Sequence, residues 1–145
     1  MGVELPFAPV DSIIRRNANG LRVSAGATEA LANRIQLHGA RIAVSAAELA
    51  DADGRKTLMA SDFPSENQQD EQSLTLPVAP VDRIARLEIE DRYLVSEDAR
   101  VALAHVLEQY AKDVAAGAAV LARHADRRTI TRADIETYFE LVDGA

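Results

Sequence analysis

From Ser96 to Asp126 the chain runs without proline through Val101, Leu103, Val106, Leu107, Tyr110, Val114, Ala118 and Leu121 at helical spacing. A run of about 30 residues is a helix of ~45 Å, longer than a small domain is wide. A unit of this size cannot bury such a helix alone, so a partner of matching length is required. Ser96 is placed to cap the first amides, and Glu97 and Asp98 sit where the helix dipole favours anions. Behind the run, Arg127-Arg128-Thr129-Ile130-Thr131 reads as a polar turn, and Thr131-x-x-Asp134 has capping-box spacing for a further helix.

The partner is encoded in the same chain. Leu5-Pro6-Phe7-Ala8-Pro9-Val10-Asp11 returns as Leu76-Pro77-Val78-Ala79-Pro80-Val81-Asp82, an offset of 71. At an offset of 72, Val23-Ser24 returns as Val95-Ser96, Ala30-Leu31-Ala32 as Ala102-Leu103-Ala104, and Arg55-Lys56-Thr57 as Arg127-Arg128-Thr129. Asp62 likewise returns as Asp134. Two alanine-rich helices would not keep their flanking Pro, Ser and Arg-x-Thr landmarks in register by chance, so the chain is read as a duplication. Each half is short helix, loop, long helix, loop, short helix. The expected spans are 9–17, 24–53 and a weak element after Met59, then 80–90, 96–125 and 132–142. Pro64 cuts the third helix of the first half short. The domain reading is 1–63, a linker with a degenerate third helix over 64–75, and 76–145. The expected architecture is all-α, with the two long helices crossed. Arg22-Val23 and Leu94-Val95 are expected as short strands beside Thr57-Leu58 and Thr129-Ile130 of the opposite half.

Composition narrows the function. No apolar run has the length of a membrane span, and the N-terminus lacks a charged-then-apolar signal, so no membrane partner and a cytoplasmic location are expected. The absence of cysteine removes disulfides and thiolate metal sites. Net charge is −7, divided as −3 and −4 between residues 1–72 and 73–145, and of 16 cations only Lys56 and Lys112 are lysine. Overall acidity counts against ordinary nucleic-acid binding. No Gly-rich phosphate loop, metal-ligand cluster or nucleophile with an adjacent base is readable, so no enzyme, cofactor, metal or small-molecule substrate is expected. His38 and His105 read as surface or partly packed residues, and Tyr110 as core.

Leu-Pro-x-Ala-Pro-Val, Val-Ser-x-x-Ala, Leu-Ala-Arg-His-Ala-Asp-Arg-Arg-Thr-Ile (121–130) and Arg-Ala-Asp-Ile-Glu (132–136) closely resemble archaeal histones. The second half matches nearly end to end, and the first as far as Asp62. The resemblance implies two histone folds fused into one intramolecular handshake dimer. The acidic, arginine-rich composition is similar to the halophilic branch of that family. It also implies a chromatin protein that binds duplex DNA with little sequence preference, associated with the nucleoid. By position, the DNA-binding residues it implies are Arg22, Lys56, Thr57, Arg127, Arg128 and Thr129 in the loops, with Arg15 and Arg86 on the first helices. Leu94 stands where the family's first loop has a cation, with Arg92 two residues earlier to substitute. The family's minor-groove Arg falls at Arg83 in the second half and at Ser12 in the first. Stronger binding is therefore expected through the second half. Arg55 with Asp62, and Arg127 with Asp134, match the family's internal ion pairs, leaving Lys56 and Arg128 to face phosphates. Leu121, His124 and Asp134 match the family's self-association contact, with Thr137 where the family often has Leu. The first half has Ala52 for the histidine, so assembly is expected to stop at two chains. The competing reading is a histone-fold transcription regulator or protein scaffold with weak DNA binding.

Overall fold

Ser24 and Ser96 each accept the amide three residues on, at 3.1 Å, and so start two long helices, α2 (Ala25–Ala52) and α4 (Glu97–His124), of 28 residues each. The computed structural model describes residues 2–64 and 71–143. Both long helices end in a residue with left-handed backbone at the same point of the repeat, Gly54 (φ 72°) and Asp126 (φ 55°). Their mutually facing surfaces are mostly alanine, which lets the backbones approach closely. Gly39 packs tightly against both α3 and α4 side chains: a Cβ there would stand 2.8 Å from Ile84 and 2.9 Å from Leu107.

The short helices α1 (Phe7–Arg16) and α3 (Val78–Ala85) start behind Pro6 and Pro77, and α5 (Arg132–Asp143) closes the described chain. Helix α1 begins two residues before the expected start, so Pro9 falls inside the first turn, where no amide partner is needed. Helix α3 stops at Ala85, well short of 90, because the amides of Arg86 and Leu87 turn back to the carbonyls of Arg83 and Ile84 at 3.2 Å. Among the described residues of the first half, a 3₁₀ turn, Ala60–Asp62, stands where α5 begins in the second, followed by buried Phe63 and then Pro64. The expected linker is described only at Pro64 and from Glu71 onward, where Glu71–Ser73 form another 3₁₀ turn; its residues 65–70 lie outside the described residues.

Among the described residues, four two-residue strands join the halves. β1 (Arg22–Val23) runs parallel to β4 (Thr129–Ile130), with Arg22 opposite Thr129 and Val23 opposite Ile130. β2 (Thr57–Leu58) runs parallel to β3 (Leu94–Val95), with Thr57 opposite Leu94 and Leu58 opposite Val95. The two pairings use repeat-equivalent bonds: the amides of Arg22 and Ser24 donate to the carbonyls of Arg128 and Ile130 (2.8 and 3.0 Å), and those of Leu94 and Ser96 to Lys56 and Leu58 (2.8 and 3.1 Å). Ile13, Leu31, Ile35, Leu58, Leu103, Leu107, Ile130 and Ile135 belong to one continuous core fed by both halves. Two polar residues at equivalent places tie down the segment before each first helix. Gln36 Oε1 accepts the amide of Glu4 at 2.7 Å, and the buried Glu108 accepts those of Thr75 and Leu76 at 2.6 and 2.9 Å.

Candidate nucleic-acid interface

Because β1 precedes α2 and β2 follows it, the two strand pairs lie at opposite ends of that helix. Each end takes its first loop from one half and its second loop from the other. The two halves therefore do not divide this surface; it divides into two ends, each built from both halves.

Each second loop is braced by an arginine and a buried aspartate. Arg55 donates to both oxygens of Asp62 (3.0 and 2.9 Å) and to the Thr57 carbonyl (2.8 Å). Arg127 reaches both oxygens of Asp134, one at 2.6 Å, and the Thr129 carbonyl at 3.2 Å. The Asp62 and Asp134 carboxylates also accept the amides of Met59 and Thr131, each at 2.8 Å. The Arg55 hydrogen bond holds the Asp62 carboxyl below the usual range against the opposing effect of burial. At Asp134 burial pushes upward, and the bonds from Arg127 and Thr131 outweigh it, so this carboxyl also sits low. The Thr131 hydroxyl donates to Asp134 at 3.1 Å and accepts nothing from it, so the capping box is made from the carboxylate side.

With Arg55 and Arg127 engaged in bracing, the loop cations facing outward are Arg22, Lys56 and Arg128. All three are exposed, and their side chains have no ion-pair or hydrogen-bond partner among the described residues. Thr57 and Thr129 lie half-buried beside them. The first-helix cations are occupied: Arg15 by Asp11 (2.7 Å), Arg86 by Asp82 (3.0 Å) and Arg83 by Glu4 (2.9 Å). Arg92, the candidate substitute for Leu94, stacks 4.5 Å over Tyr93 and pairs with Glu90 (3.3 Å) and Asp51 (3.6 Å). Leu94 itself is 61% exposed. Sequence reasoning missed these acidic neighbours, although Asp11 with Arg15 and Asp82 with Arg86 carry a readable i,i+4 signature. It had no signal for Glu4 with Arg83, 79 residues apart.

At the end of α4, Leu121 is half-buried and His124 exposed. Asp134 is 3% exposed, and its Oδ1 takes a single donor among the described residues, leaving one acceptor site. Val120 and Leu141 add exposed apolar surface that sequence reasoning did not single out. Tyr110 is half-buried, short of the expected core position, and stacks on His38 at 3.9 Å beside a shallow cavity of about 230 Å³. Burial there lowers the His38 pKa and pushes that of Tyr110 up to about 12.

Long helices crossed between flanking short ones, with their loops paired as parallel strands, define a histone fold. The sequence matches the family described as histone-like transcription factor (CBF/NF-Y) and archaeal histone over residues 3–65 and again over 74–137, and the chain belongs to that family. It is 48% identical over 60 residues to an archaeal histone HAN1 subunit from Thermococcus zilligii, a match that spans 41% of this chain and 87% of that protein. Two solved structures share the fold over nearly the whole length. The histone from Methanopyrus kandleri has TM-score 0.69 and 22% identity, covering 94% of each chain. The protein ttk003001566 from Thermus thermophilus has TM-score 0.74 and 16% identity, covering 97% of each. No helix among the described residues is long and apolar enough to cross a membrane.

Proposed function

We propose that this chain is a histone doublet, two histone folds (1–63 and 76–145, joined by 64–75) paired within one molecule as a handshake, and that it binds duplex DNA without reading sequence. The observation that carries the DNA reading is the set of outward, unpartnered cations Arg22, Lys56 and Arg128 on loops that Arg55–Asp62 and Arg127–Asp134 hold rigid. Braced cations and hydroxyls aimed outward position a phosphate backbone, and nothing in that set is shaped to discriminate base edges. Thr57 and Thr129 supply hydroxyls beside them, and Arg127, paired with Asp134, braces the loop behind Arg128. Arg15, Arg83 and Arg86 extend the surface, but each must exchange an acidic partner for a phosphate, so their net gain is small. Binding is accordingly weak for this family and strongly salt-dependent, and the protein acts at the nucleoid. Abundant acids with arginine in place of lysine support a high-salt host. There the Debye length is about 3 Å at 1 M, so overall acidity does not repel DNA.

Self-association of two chains through Leu121 and His124 of the second half, with Asp134 Oδ1 as acceptor across a two-fold axis, belongs to the same proposal. The first half has Ala52 at the histidine position and no third helix on the corresponding face among its described residues, which supports closure at two chains.

The test is fluorescence anisotropy with two duplexes of equal length and unrelated sequence, from low to molar salt. Each phosphate contact adds about −0.9 to the slope of log affinity against log salt, so two to three contacts give about −1.8 to −2.7, nearly equal for both duplexes. A slope near zero at all salts, or a large preference for one duplex, would favour the regulator or scaffold reading instead.

A further inference from the structure

We propose that the duplex is held at one end of the molecule, the β1–β4 end, and leaves the β2–β3 end free. This deepens the DNA reading and rests on it. The repeat makes the two ends directly comparable, and they differ. Residues 15–24 with 123–132 carry seven arginines and a single acid, Asp126. The repeat-equivalent residues 86–96 with 51–60 carry four cations and five acids. The contrast is sharpest in the first loops: the segment leading to Arg22 is Asn17-Ala18-Asn19-Gly20-Leu21, whereas the one leading to Leu94 contains Glu88, Glu90 and Asp91. Arg22 faces Thr129 across one strand pair, and Leu94 occupies the same register position facing Thr57 across the other.

Pairing preserves the difference, although Arg15, Arg127 and Arg132 at the β1–β4 end are also tied to carboxylates. At the β1–β4 end Arg22, Arg123 and Arg128 are exposed, with no ion-pair partner among the described residues. At the β2–β3 end Arg55, Arg86 and Arg92 are each tied to carboxylates, and Lys56 alone is left outward among the described residues. A phosphate arriving there meets one free cation, an exposed leucine and a line of acids. The two ends stand apart by the length of α2, about 42 Å for its 28 residues, or roughly 12 base pairs of straight duplex. A duplex engaging both ends would have to follow the molecule over that length, and the second end offers too little attraction to offset any deformation this requires. The DNA therefore crosses one end and continues straight. One chain thus occupies a short stretch of duplex.

The experiment measures salt-dependent anisotropy on a short duplex, and end-to-end energy transfer on a doubly labelled 20-base-pair duplex, about 68 Å long when straight, using the full chain. Far-UV circular dichroism verifies that each variant is folded. Arg22→Ala with Arg128→Ala is expected to lower affinity about 60-fold at 0.1 M salt and to flatten the salt slope by about 1.8. Lys56→Ala is expected to lose less than about threefold, below the roughly eightfold of a full phosphate contact. Wild-type protein should leave the duplex end-to-end distance unchanged. Leu94→Arg with Glu90→Gln and Asp91→Asn should steepen the slope by about 0.9 and shorten that distance. Equal losses per residue at the two ends, or bending of the duplex by the wild-type chain, would overturn one-ended binding. Absence of any wild-type binding at low salt would instead overturn the DNA reading beneath it.

Discussion

Replacing Glu108 by leucine should destabilise the fold far more than replacing it by glutamine. The carboxylate is 5% exposed and accepts the amides of Thr75 and Leu76, where the chain re-enters the fold ahead of α3. Leucine has similar bulk but no acceptor, so it strands two amides, that of Leu76 fully inside. An unpartnered buried amide costs about 1–3 kcal/mol, and the added apolar contact returns part of that, giving a net loss of roughly 2–4 kcal/mol. Domains of this size lose about 2–4 °C in Tm per kcal/mol, so the expected fall is roughly 5–15 °C. Glutamine keeps an oxygen at the Oε1 position and sacrifices only charge assistance and a 3.8 Å contact with Lys112, together about 1 kcal/mol. The repeat supplies its own control: Gln36 performs the equivalent task for Glu4 at 2.7 Å. Urea unfolding followed by far-UV circular dichroism reads both variants. A leucine variant as stable as wild type, or a glutamine variant as damaged as the leucine one, would refute the assignment.

The depressed carboxyls of Asp62 and Asp134 predict where acid acts. A folded-state value below the ordinary Asp value of 3.8 contributes stability that is complete above that pH and is lost as pH falls through the lower folded value. Stability should therefore be flat in these groups above about pH 4, and Asp134→Asn should blunt the acid limb in a pH series of urea midpoints; a loss already under way at pH 6 would contradict the pairing. Self-association through the second half predicts a shift from 15.7 kDa toward twice that mass at high concentration, abolished by His124→Ala with Leu121→Ala; mass photometry or sedimentation showing longer assemblies, or pairs indifferent to both changes, would overturn it. Gly39→Val should destabilise by about 1–3 kcal/mol, since its branched side chain enters space that Ile84 and Leu107 fill; thermal melts showing no loss would refute this tight packing.

The overlong helices were legible because their apolar spacing and Ser caps are local, and the repeat because its landmarks keep register. Arg55 with Asp62 and Arg127 with Asp134 were legible too, being seven residues apart in both halves. The ends of the short helices were not. Arg86-Leu87-Glu88-Ile89 has adequate helical propensity, and only the turn back to Arg83 and Ile84 stops it. Glu108 reads as an ordinary helix-surface glutamate until the chain ahead of α3 folds over it. The difference between the loop ends also needed the structure. Counted by halves, charge is nearly even, and only the parallel pairing of β1 with β4 and of β2 with β3 gathers the arginines at one end and the acids at the other.

The handshake requires the strand pairs to form within one chain, and a cross-link tests that directly. The protein has no cysteine, so Arg22→Cys with Thr129→Cys introduces a single pair at opposed positions of β1 and β4. Paired strands lie about 4.8 Å apart, inside the Cα separation of roughly 4.4–6.8 Å that a disulfide spans. After mild oxidation at low micromolar concentration, intact mass and non-reducing electrophoresis should show one chain, about 2 Da lighter and faster-migrating. A covalent pair of chains, or no cross-link at all, would contradict the intramolecular pairing.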